Sequence, residues 1–229
     1  MISLLKRPLG ALAVLLLMGV SARASAQTYY EQVYRPWQPI HWHLAAGYSP
    51  TLGQTSQYFN GGFTLGGGLT WQPHPGPFAL RADLEYSHFD ATRNLIAINE
   101  QANQIEIDHG YGEVFGLSVD GELRLRLSPL TTAFFLAGVG VNHRRIALTQ
   151  TVAFGGYYCD PYFGYCDYGL VPGDVVVASA DTTRFSWNAG AGLDFALRDG
   201  QSFFIEARYM RLETAQPTEF VPITVGVRF

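Results

Sequence analysis

Lysine is almost absent from this 229-residue chain: Lys6 is the only one. A water-exposed surface normally mixes Lys with Glu, so a soluble globular exterior fits poorly. Charged residues amount to 15% against 48% hydrophobic, which excludes the highly charged, apolar-poor composition of a disordered chain. Cys159 and Cys166 are the only cysteines, too few for a disulfide-rich scaffold. No apolar run approaches the ~20 residues that a membrane-crossing helix needs. The run from Leu9 to Val20 has 12 residues, follows Lys6 and Arg7, and precedes Ala24-Ser25-Ala26. That order predicts a secretory signal peptide over 1–26, with Gln27 the first mature residue. Removing Lys6, Arg7 and Arg23 from the 15 basic residues leaves 12 against 19 acidic, a net charge of −7, which argues against a nucleic-acid partner.

What is present in quantity is Gly (25), Phe (15) and Tyr (13), and the apolar residues recur with a period of two. The last stretch, Glu219 to Phe229, sets the pattern. Val221, Ile223, Val225, Val227 and Phe229 share one face of an extended chain, and Thr224, Gly226 and Arg228 share the other. Seven stretches upstream repeat it, with outward-reading sets that start at Trp42, Phe63, Phe78, Phe115, Phe135, Phe185 and Phe203. The connections alternate as well. Gln72 to Gly76, Ser128 to Leu130 and Arg198 to Gly200 are short and carry Pro or Gly, as tight turns do. Long connections begin near Ser49, His88, Arg144 and Arg211. Eight strands with short and long links in alternation predict an all-β fold: an eight-stranded antiparallel up-and-down transmembrane β-barrel over 41–229, with protruding external hairpins. Residues 27–40, interrupted by Pro36 and Pro39, are expected to be a periplasmic N-terminal segment.

The second face decides which way the strands point. In the first two strands it reads His43, Ala45, Gly47, Ser49 and Thr64, Gly66, Gly68, Thr70, small and uncharged. Such residues suit the interior of an eight-stranded barrel, which is only wide enough for side chains. On later strands this face carries Arg81, Asp83, Glu85, Asp120, Glu122, Arg124, Arg126, Asp194, Glu206, Arg208 and Arg228. Five arginines against six acids are expected to form a lumen ion-pair network, because buried charges must be paired and lipid-facing ones are costly.

With these faces assigned, the chain resembles the small outer-membrane barrel family that includes the OmpA transmembrane domain and OmpX-like proteins of Gram-negative bacteria. The resemblance spans about His41 to Phe229 and implies a cell outer membrane location. It implies that Phe229, on an alternating terminal strand, is read by the barrel assembly machinery. Val227 stands where the family signal often has another aromatic. With Phe229 last, no peptidoglycan-binding domain is expected to follow.

Beyond the membrane span two extensions are expected. Leu95 and Ala97 on one arm, with Ile105 and Ile107 on the other, flank Glu100 to Asn103 and read as one hairpin. Ile146, Leu148 and Val152 read as pairing against Val175 to Ala178 in a larger one. Near its tip lies Tyr157-Tyr158-Cys159-Asp160-Pro161-Tyr162-Phe163-Gly164-Tyr165-Cys166-Asp167-Tyr168. The two cysteines of an exported chain predict a disulfide; their spacing matches no common zinc pattern. Tyrosine gives rigid amphipathic contact area, so Tyr162, Phe163 and Tyr165 are the candidate surface-contact residues. The alternative for this segment is an aromatic cluster packing on itself.

The functional expectation is a structural or adhesive barrel, monomeric and without catalysis, cofactor or metal. Its partners would be outer-membrane lipid, lipopolysaccharide, the assembly machinery and a host or cell-surface ligand. Two other classes stay open. A lipid A-modifying enzyme would draw on Ser87, His88 and Asp90, with His109, Glu113 and His143 at similar height; it requires a base within hydrogen-bond reach of its nucleophile. A narrow small-solute channel would require an unplugged lumen. His143, Arg144 and Arg145 also suit lipopolysaccharide phosphates.

Overall fold

The computed structural model describes residues 38–160, 162, 164–197 and 200–229. The expected signal peptide and most of the expected N-terminal segment, residues 1–37, lie outside the described residues. Nine strands follow in order: β1 (Ile40–Ser49), β2 (Gly62–Trp71), β3 (Phe78–Asp90), β4 (His109–Arg126), β5 (Thr131–Asp160), β6 (Tyr165–Ala196), β7 (Ser202–Leu212), β8 (Thr218–Phe220) and β9 (Ile223–Arg228). Each pairs antiparallel with its neighbour in sequence from β1 to β7, and β9 closes the ring by pairing with both β7 and β1. Strands β8 and β9 are two halves of the expected eighth strand. They part at Val221-Pro222, where Pro222 is buried and its carbonyl accepts from the Arg208 N–H at 3.0 Å. The ring therefore has eight members.

Alternation sorts the side chains as the barrel requires. Leu44 is 59% exposed, Phe115 53% and Val227 43%, whereas Asp120 is 0% and Glu122 1% exposed. An apolar outside and a charged inside are stable only if the outside meets lipid. Aromatic residues collect where the apolar band ends. Trp42, Trp71 and Phe78 stand at the short-turn end, and Tyr48, Phe63 and Phe115 at the long-connection end.

The lumen has two levels. Toward the long-connection end, Phe59, Phe89, Val114, Met210, Leu212 and Phe220 form a buried apolar plug, with Tyr58, Ala91, Leu95 and Ile146 packed against it. Phe89 and Phe220 meet edge to face, with ring centroids 5.2 Å apart. Below the plug lie the charges, and among them a second cluster of Phe134, Leu136 and Phe204. Arg228 lies 5.5 Å from the centroids of both Phe134 and Phe204, a cation–π contact that covers aromatic faces inside a charged lumen.

Two short helices sit over the barrel mouth: α1 (Thr55–Tyr58) and α2 (Arg93–Asn103). The second corrects the hairpin expected around Glu100 to Asn103. Thr92 caps its start, its hydroxyl accepting from the Leu95 N–H at 3.4 Å, and Gln104 ends it in the left-handed region at φ 54°. Leu95 and Ile98 are one turn apart, so a helix puts both on one side; Leu95 packs against the plug, and Ile98 stays 47% exposed. The connections are tied together. Thr92 Oγ1 donates to the Gln57 carbonyl at 2.7 Å, the Leu52 N–H donates to the Glu219 carbonyl at 2.9 Å, and the Glu219 N–H donates to Thr55 Oγ1 at 2.9 Å.

Candidate functional site

The lumen network and the long β5–β6 extension are the two places where polar or aromatic side chains concentrate. In the lumen, Arg81 pairs with Asp83 at 2.9 Å and with Glu206 at 2.5 Å. Arg208 reaches Asp83 at 2.6 Å, Glu206 at 2.8 Å and Asp120 at 3.4 Å. Arg124 and Arg228 share Glu122 and Asp194, at 2.8 and 2.9 Å from Arg124 and at 3.4 and 2.7 Å from Arg228. Arg81 and Glu122, 3.8 Å apart, link the two groups. His43 Nε2 lies 2.8 Å from Asp83, and Asn188 donates to Asp120 at 2.7 Å. Strands β1, β3, β4, β6, β7 and β9 are thereby cross-linked through the lumen.

Two residues assigned to this network from sequence stand apart from it. Arg126 is exposed at the short-turn end and donates to the carbonyls of Ser128 and Pro129; its position near the strand end lets water and turn carbonyls take the guanidinium. Glu85 accepts only a long hydrogen bond from Ser87, 3.4 Å, because the nearest arginines are engaged with Asp83 and Glu206. The core of the network is thus four arginines and five acids.

The β5–β6 extension is a two-stranded ribbon. Strand β4 stops at His109 opposite Thr149, and β7 stops at Leu212 opposite Ser186. Strands β5 and β6 continue together to Asp160 and Tyr165, with a bulge at Leu148/Thr149 where Val177 is the extra residue. At the usual rise per residue, the two-stranded run from Thr149 to Asp160 is about 36 Å long. Leu148 pairs with Ala178 and Val152 with Gly173, within a residue or two of the expected register. Cys159 and Cys166 are directly opposed and bonded, with Cα atoms 4.0 Å apart.

The ribbon's aromatic side chains, where described, are open to solvent. Tyr162 is 88% exposed, Tyr157 77% and Leu170 77%, with Tyr168, Tyr165 and Phe154 also exposed. Tyr157 and Tyr168 are a cross-strand pair, edge to face at 5.4 Å. Gly155, opposite Leu170, leaves room for the Tyr168 ring: a Cβ there would come within 2.7 Å of its hydroxyl. The Cys159–Cys166, Tyr157–Tyr168 and Gly155–Leu170 pairs alternate onto one face of the ribbon. This face, built on Tyr157, Tyr168 and Leu170, was not singled out from sequence. Its signal was the pairing register set by the two cysteines. Phe163, one of the expected contact residues, lies outside the described residues.

Of the residues considered for catalysis, His88, Asp90 and Glu113 are neighbours, and Ser87 is apart from them. Ser87 is buried in the lumen, 2.7 Å from Thr64 Oγ1. His88, next to it on the strand, faces the opposite way and stacks between Phe63 and Tyr111 at 5.4 and 5.5 Å. Adjacent strand residues cannot share a site on one face. Asp90 and Glu113 lie 3.9 and 4.0 Å from the His88 ring nitrogens, Glu113 also accepts from the Tyr86 hydroxyl at 2.7 Å, and His143 pairs with Thr183 at 3.0 Å. His109, the first residue of β4, is exposed. His143 and Arg145 point outward, whereas Arg144 points into the mouth and hydrogen-bonds Thr218, which removes it from the expected phosphate-facing set. Among the described residues, no three His, Cys, Asp or Glu side chains are grouped to hold a metal.

The family model described as the outer membrane protein beta-barrel domain matches residues 12–229. The chain belongs to that family. It is accordingly an outer-membrane protein. Its fold is similar to that of Neisserial surface protein A, with a TM-score of 0.52 at 9% identity, covering 83% of this chain and 96% of that one. Weaker likenesses are to Ail of Yersinia pestis, solved with the heparin analogue sucrose octasulfate (TM-score 0.42, 13% identity, 84% of this chain and 100% of that one), and to the N-terminal barrel of Pseudomonas aeruginosa OprF (0.41, 13%, 84% and 98%). No curated protein sequence matches significantly.

Proposed function

We propose that this outer-membrane barrel is a structural and adhesive protein that presents the β5–β6 ribbon for contacts at the cell surface, without catalysis. The observation that carries this reading is the exposed face of Tyr157, Tyr168 and Leu170, held away from the membrane by paired backbone and closed at its end by the Cys159–Cys166 bond. Solvated loops have no need of such a face. Tyrosines in a rigid frame bind with little loss of side-chain freedom, and a large exposed apolar patch marks an interaction site. The partner is a host or cell-surface molecule; His143 and Arg145, lower on the outer face, suit lipopolysaccharide phosphates. Phe229, 49% exposed at the periplasmic end, is offered to the barrel assembly machinery.

Against a lipid A-modifying role stands the separation of Ser87 from His88 on opposite faces. Against solute conduction stand the apolar plug and the ion pairs beneath it. The test is cell adhesion by bacteria displaying wild type or the triple variant Tyr157→Ser, Tyr168→Ser, Leu170→Ser. The account expects at least about a tenfold loss of adhesion, equivalent to ~1.4 kcal/mol, with an unchanged heat-modified band on a gel. Undiminished adhesion by the folded variant, or altered acyl chains in lipid A from cells carrying the protein, contradicts it.

A further inference from the structure

Every arginine of the lumen core has at least two carboxylate partners. Arg144 has none among the described residues. It lies on the inward face of β5, two residues above buried Asn142, and is itself half-buried. One of its five N–H donors is used, Nη1 donating to Thr218 Oγ1 at 2.5 Å. A half-buried guanidinium without a counter-charge is an unusual arrangement, since desolvating a charge is costly unless it is paired.

Arg144 opens into a cavity of about 480 Å³ at the external mouth of the barrel. The other walls are largely apolar. Tyr58 and Phe59 come from the α1 region, Leu95 and Ile98 from α2, Ile146 from β5, and Pro217 from the connection between β7 and β8. The volume falls within the range of small-molecule sites, in which an apolar lining and one placed charge fix a ligand's orientation. Its size suits a single medium-length alkyl chain with its head group and does not suit a two-chain lipid.

We propose that this cavity binds a monoanionic amphiphile, a free alkanoate, with Arg144 holding the carboxylate and Tyr58, Leu95, Ile98 and Ile146 enclosing the chain. Arginine's planar fork matches a carboxylate in two parallel hydrogen bonds, and the ligand supplies the counter-charge that the protein omits. The inference is independent of the ribbon: it uses no residue above Ile146 on β5, and an adhesive role neither requires nor excludes it.

The test uses the full-length folded protein in phosphatidylcholine nanodiscs, titrated with carboxyl-¹³C laurate and followed by NMR, with empty nanodiscs as the reference and dodecanol as an uncharged competitor. Saturable binding of one laurate per protein is expected, weakened about tenfold or more in Arg144→Met and less severely in Arg144→Lys, which keeps the charge but loses the two-bond fork. Ile98→Trp, at an exposed helix position, fills the cavity from its rim and should weaken binding without touching the charge. A heat-modifiability gel verifies that each variant is folded, and if Arg144→Met fails to fold, Ile98→Trp decides. Laurate uptake no greater than in empty nanodiscs, undiminished binding by folded Arg144→Met or by Ile98→Trp, or displacement by dodecanol as effective as by unlabelled laurate each overturns the proposal.

Discussion

Replacing Arg208 with methionine is expected to lower the unfolding free energy by about 3–5 kcal/mol, the cost of breaking a buried ion pair by removing one partner. Arg208 touches Asp83, Glu206 and Asp120 within 3.4 Å, and methionine keeps much of its aliphatic volume, so the loss is electrostatic rather than steric. Arg81 would be left to serve both Asp83 and Glu206, with Asp120 held only by Asn188 and Ser118. Urea unfolding in lipid bilayers, followed by tryptophan fluorescence, measures it. A partial rescue belongs to the same expectation. Adding Glu206→Gln removes the surplus negative charge, so the double variant should be less destabilised than the sum of the two single ones, as coupled neighbours require. A loss below about 1 kcal/mol for Arg208→Met, a magnitude seen for solvent-exposed pairs, would mean that the lumen is wet and the network screened.

The second large effect concerns the plug. Phe220 is fully buried and packs against Phe89. Phe220→Ala is expected to cost about 3–5 kcal/mol, because the transfer energy of the ring is lost and a cavity remains. It should leave the lumen closed to solutes, since the ion pairs lie beneath it. Planar-bilayer recording of the variant should show no conductance above that of wild type. Large-solute conductance in Phe220→Ala would assign the plug, not the charges, as the barrier.

These two effects separate what could be read from the sequence from what could not. The faces were legible because side chains alternate strictly along a strand: Leu44 and Asp120 fall on the sides that their chemistry requires. The lumen charges were legible as a set but not as partners. Arg81 and Glu206 are 125 residues apart, and the pairing depends on how opposite walls of the closed ring face one another. The plug was hidden because Phe89, Met210 and Phe220 share the polar face of their strands, at the external ends where the charges stop. Segment 93–103 was misread because Leu95, Ala97, Ile105 and Ile107 alternate as well as any strand. The cap at Thr92 and the Leu95–Ile98 spacing carry the helical signal, and the packing of Leu95 against the plug selects it.

The ribbon's frame could be read from Ile146, Leu148 and Val175 to Ala178, but not the side chains that it presents. Tyr157 and Tyr168 are eleven positions apart in sequence and become a pair only once the Cys159–Cys166 register is set. The same register puts Leu170 beside them across from Gly155.

The most direct test of a surface role carried by the ribbon is to shorten it. Replacing Gly156 to Gly169 with Asn-Gly, a dipeptide suited to a two-residue hairpin turn, joins the cross-strand partners Gly155 and Leu170 and removes the disulfide and the ribbon's tyrosines while leaving the barrel, network and plug untouched. Adhesion of bacteria displaying this variant should fall to the level of cells without the protein, with the heat-modified band of a folded barrel retained. Full adhesion by the shortened, folded protein would contradict the account.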